Sequence, residues 1–239
     1  MVHDLVWRGK TPAPRDAHHV AGVQGRTLVV AQEDRTGQCA RVADRAGKAI
    51  ATVAEPTLGA LGLVRRGRSR TWIDDHGWWL VNVEFQPSQR GNGCYPTVGT
   101  QHLWVVRDHL TLENMERPLG PSTFVTHSTE DPFLDAMQPA VAAAAEAVLR
   151  RRTAHSTGKQ ALEGLARGDD DLNAGIAAAL LGDDATARSR LTGGIHPSDR
   201  ALAASYLGLS PSQARSQATS AIAETRARLN LAPADTDWP

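Results

Sequence analysis

Long hydrophobic runs are missing from this chain: the longest, Ala140 to Leu149, is mostly alanine and is broken by Glu146. A membrane helix needs ~20 consecutive apolar residues, so no span is expected. Met1 to Lys10 lacks the apolar centre of a signal peptide, and secretion is not expected either. Cysteine is scarce. Cys39 and Cys94 are too few for a disulfide framework and belong to no CxxC or Cys/His cluster, which points to a reducing, cytoplasmic setting. An excess of either charge is absent too: 26 basic and 26 acidic residues leave no long-range attraction toward nucleic acid or an anionic membrane. Aromatics make up only 5%, yet four of the six tryptophans fall between Trp72 and Trp104.

What is present reads as an α+β chain: an antiparallel Trp-rich sheet packed on a helix, followed by an all-helical C-terminal half. The stretch 1–25, with Pro12, Pro14, His18 and His19 and no periodicity, is an irregular arm. A sheet domain over 26–130 follows, then a helical region over 131–232 and a tail over 233–239. Arg26 to Gln32 suits a short strand, and apolar positions from Val42 to Val53 suit an amphipathic helix interrupted near Pro56.

The clearest β signal is a hairpin: Ser69 to Asp74 alternates, Asp75-His76-Gly77 supplies turn chemistry, and Trp78 to Gln86 alternates again. Tyr95 to Val106 is the third antiparallel strand, and Ser122 to His127 suits a last one. A three-residue turn sets Asp74 opposite Trp78 and Thr71 opposite Val81. Thr71, Ile73, Trp79, Val81, Val83 and Phe85 then form the core face. The other face carries Arg68, Arg70, Trp72, Trp78, Leu80, Asn82, Glu84 and Gln86, too polar for a core and too aromatic for an ordinary solvated surface.

Helices dominate after Asp131-Pro132. Phe133 to Arg152 is the longest, with Pro139 in its first turns or dividing it. Gly168 to Asp170 and Gly182 to Asp184 each end one helix and cap the next; Ser198 and Ser210-Pro211 do likewise, and Leu209 to Leu229 forms the last helix.

Three blocks, LGLVRRGRSRTW, WWLVNVEFQPS and GCYPTVGTQHLW, resemble the uncharacterised bacterial family known as domain of unknown function 4304, over about residues 61–104. The likeness lies in the Gly-x-x-Arg-x-Gly-Arg entry, the Asn-Val-x-x-Gln strand and the Val-Gly strand. It implies an α+β fold and no reaction.

Chemistry-bearing groups each have a bland explanation. Arg65, Arg66, Arg68 and Arg70 beside the tryptophans could face nucleic acid, but a solvated strand face pairing with Glu84 suits zero net charge better. Asp74, Glu84 and Gln86 imitate a nuclease metal motif, but in this register the two carboxylates stand roughly 20 Å apart. The histidines are scattered, Cys94 has no evident base in His76 or His102, Gly91 and Gly93 lack a phosphate-loop signature, and Arg150 to Arg152 suit a helix C-terminus. No cofactor or metal is expected. The residues favour a non-enzymatic binding or interaction module, of immunity or regulatory type, that meets a protein or small ligand through Arg68, Arg70, Trp72, Trp78, Asn82, Glu84 and Gln86. The alternative is a hydrolytic, metal-dependent nuclease-like enzyme with Glu84 in a cleft between sheet and helices.

Overall fold

Gly77 sets the geometry of the sheet. In the computed structural model its φ is +82°, a value that glycine adopts freely and other residues rarely do. It takes the first central position of a two-residue turn, Gly77-Trp78, closed by the His76 N–H donating to the Trp79 carbonyl at 3.0 Å. The structure describes residues 46–88, 93–120, 124–126, 130–155, 157–235 and 238, all within the unit Val42–Pro239. The arm over 1–25, the strand over 26–32, the glycine loop around Gly91 and Cys39 lie outside the described residues.

The sheet is an antiparallel meander of β1 (Val64–Arg65), β2 (Thr71–Asp75), β3 (Trp79–Pro87), β4 (Gly93–His102) and β5 (Glu113–Glu116). A sixth strand, β6 (Val125–Thr126), also pairs with β4. The outer edge of β4 is paired at residues 93–94 by β6 and at 98–100 by β5. Pro96 falls in the gap, where no ladder needs its missing N–H.

The tight turn corrects the expected register. Thr71 pairs with Glu84, Ile73 with Asn82 and Asp75 with Leu80, while Trp72 opposes Val83 and Asp74 opposes Val81. This slip of three residues is an odd number, so every β2 side chain changes face. One face therefore holds Trp72, Asp74, Trp79, Val81, Val83 and Phe85 with Cys94, Val98, Thr100 and His102 of β4. The other holds Thr71, Ile73, Asp75, Leu80, Asn82, Glu84 and Gln86 with Thr97, Gly99 and Gln101.

The first face is dry because two helices cover it. Helix α1, described over 46–60, turns Ala46, Ile50, Ala54 and Leu58 inward at the spacing of one helical face. It runs through Pro56 without interruption, contrary to expectation. The three fully buried residues Ile50, Ala54 and Leu58 offset the lost hydrogen bond, a residue such as Ile or Leu contributing ~1.5–3 kcal/mol. Glu55 of the same helix accepts a hydrogen bond from Trp72 Nε1 at 3.1 Å. Helix α2 (Glu130–Ala154) likewise continues past Pro139, with Met137, Ala140, Val141, Ala144, Ala147 and Val148 buried.

Short helices complete the chain: α3 (Gly158–Ala166), α4 (Asp171–Leu181), α5 (Asp184–Thr192), α6 (Arg200–Tyr206) and α7 (Pro211–Arg228). Three of their N-terminal caps are those the sequence signals, whereas Ser198 does not cap α6, whose N-cap Asp199 makes no side-chain cap hydrogen bond, and Thr157 caps α3. Asp170 and Asp183 accept from the third residue onward, Gly182 closes α4 in the left-handed conformation, and Ser210 with Gln213 makes a capping box. Helix α4 is apolar on all sides, as a central helix must be. Gly175 lets α5 approach it: an added Cβ would lie 2.5 Å from Leu191 Cγ. The sheet and the helices share one continuous core. Among the described residues, no helix is long and apolar enough to cross a membrane.

Candidate functional site

The adjacent residues Asp74 and Asp75 point to opposite faces and hold a helix on each. Arg152 at the end of α2 grips Asp74 with Nε at 2.7 Å and Nη2 at 2.9 Å. Arg226 at the end of α7 grips Asp75 with Nη1 at 2.8 Å and Nη2 at 2.7 Å, and also donates to the carbonyls of Gly77 and Ala232. Such two-pronged arginine contacts fix orientation as well as charge. Burial alone would raise the Asp74 carboxyl, but hydrogen bonds from His76 and Arg152 overcome it and hold the group below its usual 3.8.

Near the turn, tryptophans and histidines form a packed layer. Trp78 stacks on Trp104 at 5.1 Å, His76 on Trp79 at 4.1 Å and His155 on Trp79 at 4.4 Å. Trp104 Nε1 donates to Asn173 Oδ1 at 2.7 Å, and His102 Nδ1 lies 3.0 Å from Glu113 Oε2. Desolvation lowers the His155 pKa below 6.5, so its imidazole is neutral at pH 7. Beside this layer, His155, Asp170 and Asn173 line a cleft of about 300 Å³.

The second face is only partly covered. Toward the turn, α7 and the following tail close it through Arg226. In the middle, residues 108–112 form a roof pinned by two buried amides. Asn82 Nδ2 donates to the Thr111 carbonyl at 2.8 Å, and Gln101 Oε1 accepts from the Thr111 N–H at 3.0 Å. Gly99 permits the fit, since a Cβ there would meet Leu112 Cα at 2.9 Å. What stays open is a groove of about 330 Å³ lined by Arg66, Ser69, Thr71, Asn82, Glu84 and the roof.

Of the seven residues expected to share a face, the structure brings Asn82, Glu84 and Gln86 together. Trp72 belongs to the helix-covered face and is fully buried, and Trp78 sits in the turn, 6% exposed. Arg68 and Arg70 precede β2 in the 66–70 loop. The reason is the turn: two residues where Asp75-His76-Gly77 suggested three. Sequence reasoning missed Thr71 and the 108–112 roof. The register would have found the former; no local pattern marks the latter.

Neither Glu84 nor Arg66 has an ion pair among the described residues. Gln86 Nε2 donates to Glu84 Oε2 at a long 3.4 Å, and Arg66 Nη2 donates to the Leu229 carbonyl at 3.3 Å. Asn82 is 1% exposed, and its Oδ1 has no hydrogen-bond partner among the described residues. Cys94 is buried 3.9 Å from Met137 Sδ, and desolvation pushes its thiol up to about 11, far from a reactive thiolate. His102 stands at the other end of the same strand, roughly 26 Å away at ~3.3 Å per residue. Among the described residues, no group of three or more His, Cys, Asp or Glu side chains could hold a metal ion. No protein-family model, no curated protein and no solved structure matches the chain.

Proposed function

We propose that this protein is a cytoplasmic, non-enzymatic binding module of immunity or regulatory type, and that it meets a protein or small ligand in the groove beside Thr71, Asn82 and Glu84. The observation that carries this reading is the hydrogen-bonding capacity left open there. Asp74 and Asp75 on the same sheet are each gripped by an arginine, whereas Glu84 and Arg66 have no ion pair among the described residues and Asn82 Oδ1 is buried without a partner. The likeness of residues 61–104 to the family of unknown function 4304 is part of the same proposal, because that stretch supplies β2, β3 and β4, the floor of the groove.

The test is capture from an extract of the source cell with wild type and a Thr71→Ala/Glu84→Gln variant of verified fold. A partner held by the first and released by the second is the expected result; equal retention by both removes the groove from consideration. A hydrolytic reading keeps one observation in its favour, since Asp108 and His109 line the same groove as Glu84. Turnover of any phosphodiester or ester substrate that Glu84→Gln abolishes would establish it.

A further inference from the structure

Strands β2, β3 and β4, with the residue that follows β1, bring one row of side chains to the floor of the groove. The Arg66 N–H donates to the Thr71 carbonyl at 3.0 Å, Thr71 pairs with Glu84, and Glu84 pairs with Thr97. Residues opposite one another on adjacent strands point to the same face. Arg66 and Glu84 are thus two strands apart, with backbones separated by about 10 Å at ~4.8 Å per strand. Thr71 stands between them, and Ser69 lines the same space.

The two charges have opposite sign and do not neutralise each other. Arg66 instead reaches the Leu229 carbonyl, and among the described residues the Glu84 carboxylate meets only the Gln86 amide. Both groups are half-buried, so their attraction for complementary charge is screened less than at an open surface. At the rim, Asp108 and His109 contact each other at 2.7 Å and are largely exposed, so solvent screens them more than the interior pair. Asn82 lies two residues from Glu84 on the same face and also lines the groove, its Oδ1 buried and unpartnered among the described residues. One end of the groove therefore accepts hydrogen bonds and carries negative charge, and the other donates and carries positive charge. A volume of about 330 Å³ lies at the small end of ligand pockets.

Resting on the groove as the recognition site, we propose that its ligand is an amino-acid-sized zwitterion, with the ammonium at Glu84 and the carboxylate toward Arg66. A chain of a few methylenes between the two groups matches the spacing of two strands, so ω-amino acids fit better than glycine.

The experiment is a ¹H–¹⁵N shift titration of the full chain with glycine, β-alanine, γ-aminobutyrate and 5-aminovalerate, alongside the same ω-amino acids methylamidated at the carboxylate or acetylated at the amine. At least one free ω-amino acid is expected to shift amides of residues 66–71, 82–84 and 109–112 with a dissociation constant of about 1 mM or tighter, and each capped form to bind at least about tenfold more weakly. Glu84→Gln and Arg66→Gln should each weaken the free zwitterion by a similar factor while keeping the wild-type spectrum, and Arg66→Lys should restore part of the affinity. Equal binding of free and capped forms, or wild-type affinity in Glu84→Gln, overturns the zwitterion. If the groove amides answer only to dicarboxylates, neutral sugars or simple cations, the zwitterion falls and the recognition site stands. If no probe and no captured partner moves them, both fall.

Discussion

The two faces of one sheet are built from the same strands and solve different problems. The helix-covered face spends its side chains on burial: Trp72, Val81, Val83, Phe85 and Val98 are fully buried, and its charged Asp74 is held by Arg152. The loop-covered face keeps Thr71, Asn82, Glu84, Gln86, Thr97 and Gln101, uses two amides to fix a roof, and leaves charges of both signs open to a groove. Alternation along a strand allows this division, because neighbouring residues serve opposite faces. Apolar burial and polar groups open to a groove are thereby separated by one residue step.

The sharpest way to break the comparison is to exchange the faces' tolerance. Trp72→Ala should cost about 3–5 kcal/mol in urea unfolding, the price of a truncated core aromatic, while Glu84→Gln stays within about 0.5 kcal/mol of wild type. Similar losses at both positions would remove the distinction. Next in size, Arg226→Ala should cost about 3 kcal/mol, because it leaves Asp75 and two carbonyls without their donor at the closed end of the second face. Gly99→Ala should cost about 1–3 kcal/mol by pushing Leu112 and the roof outward, with proteolysis within residues 106–112 accelerating as the visible sign.

The hairpin, the helical half and three of its N-terminal caps were legible because each is written in a few adjacent residues: Asp170, Asp183 and Ser210 cap where they stand. The register was not. It turns on whether Gly77 opens a two-residue turn or ends a three-residue one, and that single difference moves Trp72 from the face expected to bind into the core. Pro56 read as a break, and Pro139 as a break or a first-turn residue, because their local cost is visible in sequence, whereas the burial that offsets it comes from residues far along the chain. The groove was half legible: Asn82 and Glu84 share a face in either register, but Thr71 does not, and the roof depends on Asn82 and Gln101 reaching the backbone of residues 109–111.

The smallest expected effect is a two-step dependence of stability on pH, arising at the helix-covered side. The His155 pKa is lowered in the fold, so the unfolded chain takes up its proton first and stability falls as pH drops below 6.5 toward the folded value. The Asp74 pKa is also lowered, so its contribution is complete above 3.8 and is lost as pH falls through its folded value. Urea midpoints at pH 7, 5 and 3 should show both steps. His155→Gln should flatten the upper step and Asp74→Asn the lower, whereas Glu84→Gln should leave the upper one unchanged.

The central claim, that recognition belongs to the loop-covered face, is tested most directly by mapping amide shifts while the chain is titrated with a mixed fragment set of amines, amides, carboxylates, alcohols and zwitterions. Perturbations gathered at residues 69–71, 82–84 and 109–112 are the predicted result. Perturbations gathered instead around His155, Gly168 and Asn173, with the groove silent, would contradict it and assign recognition to the cleft beside α3 and α4.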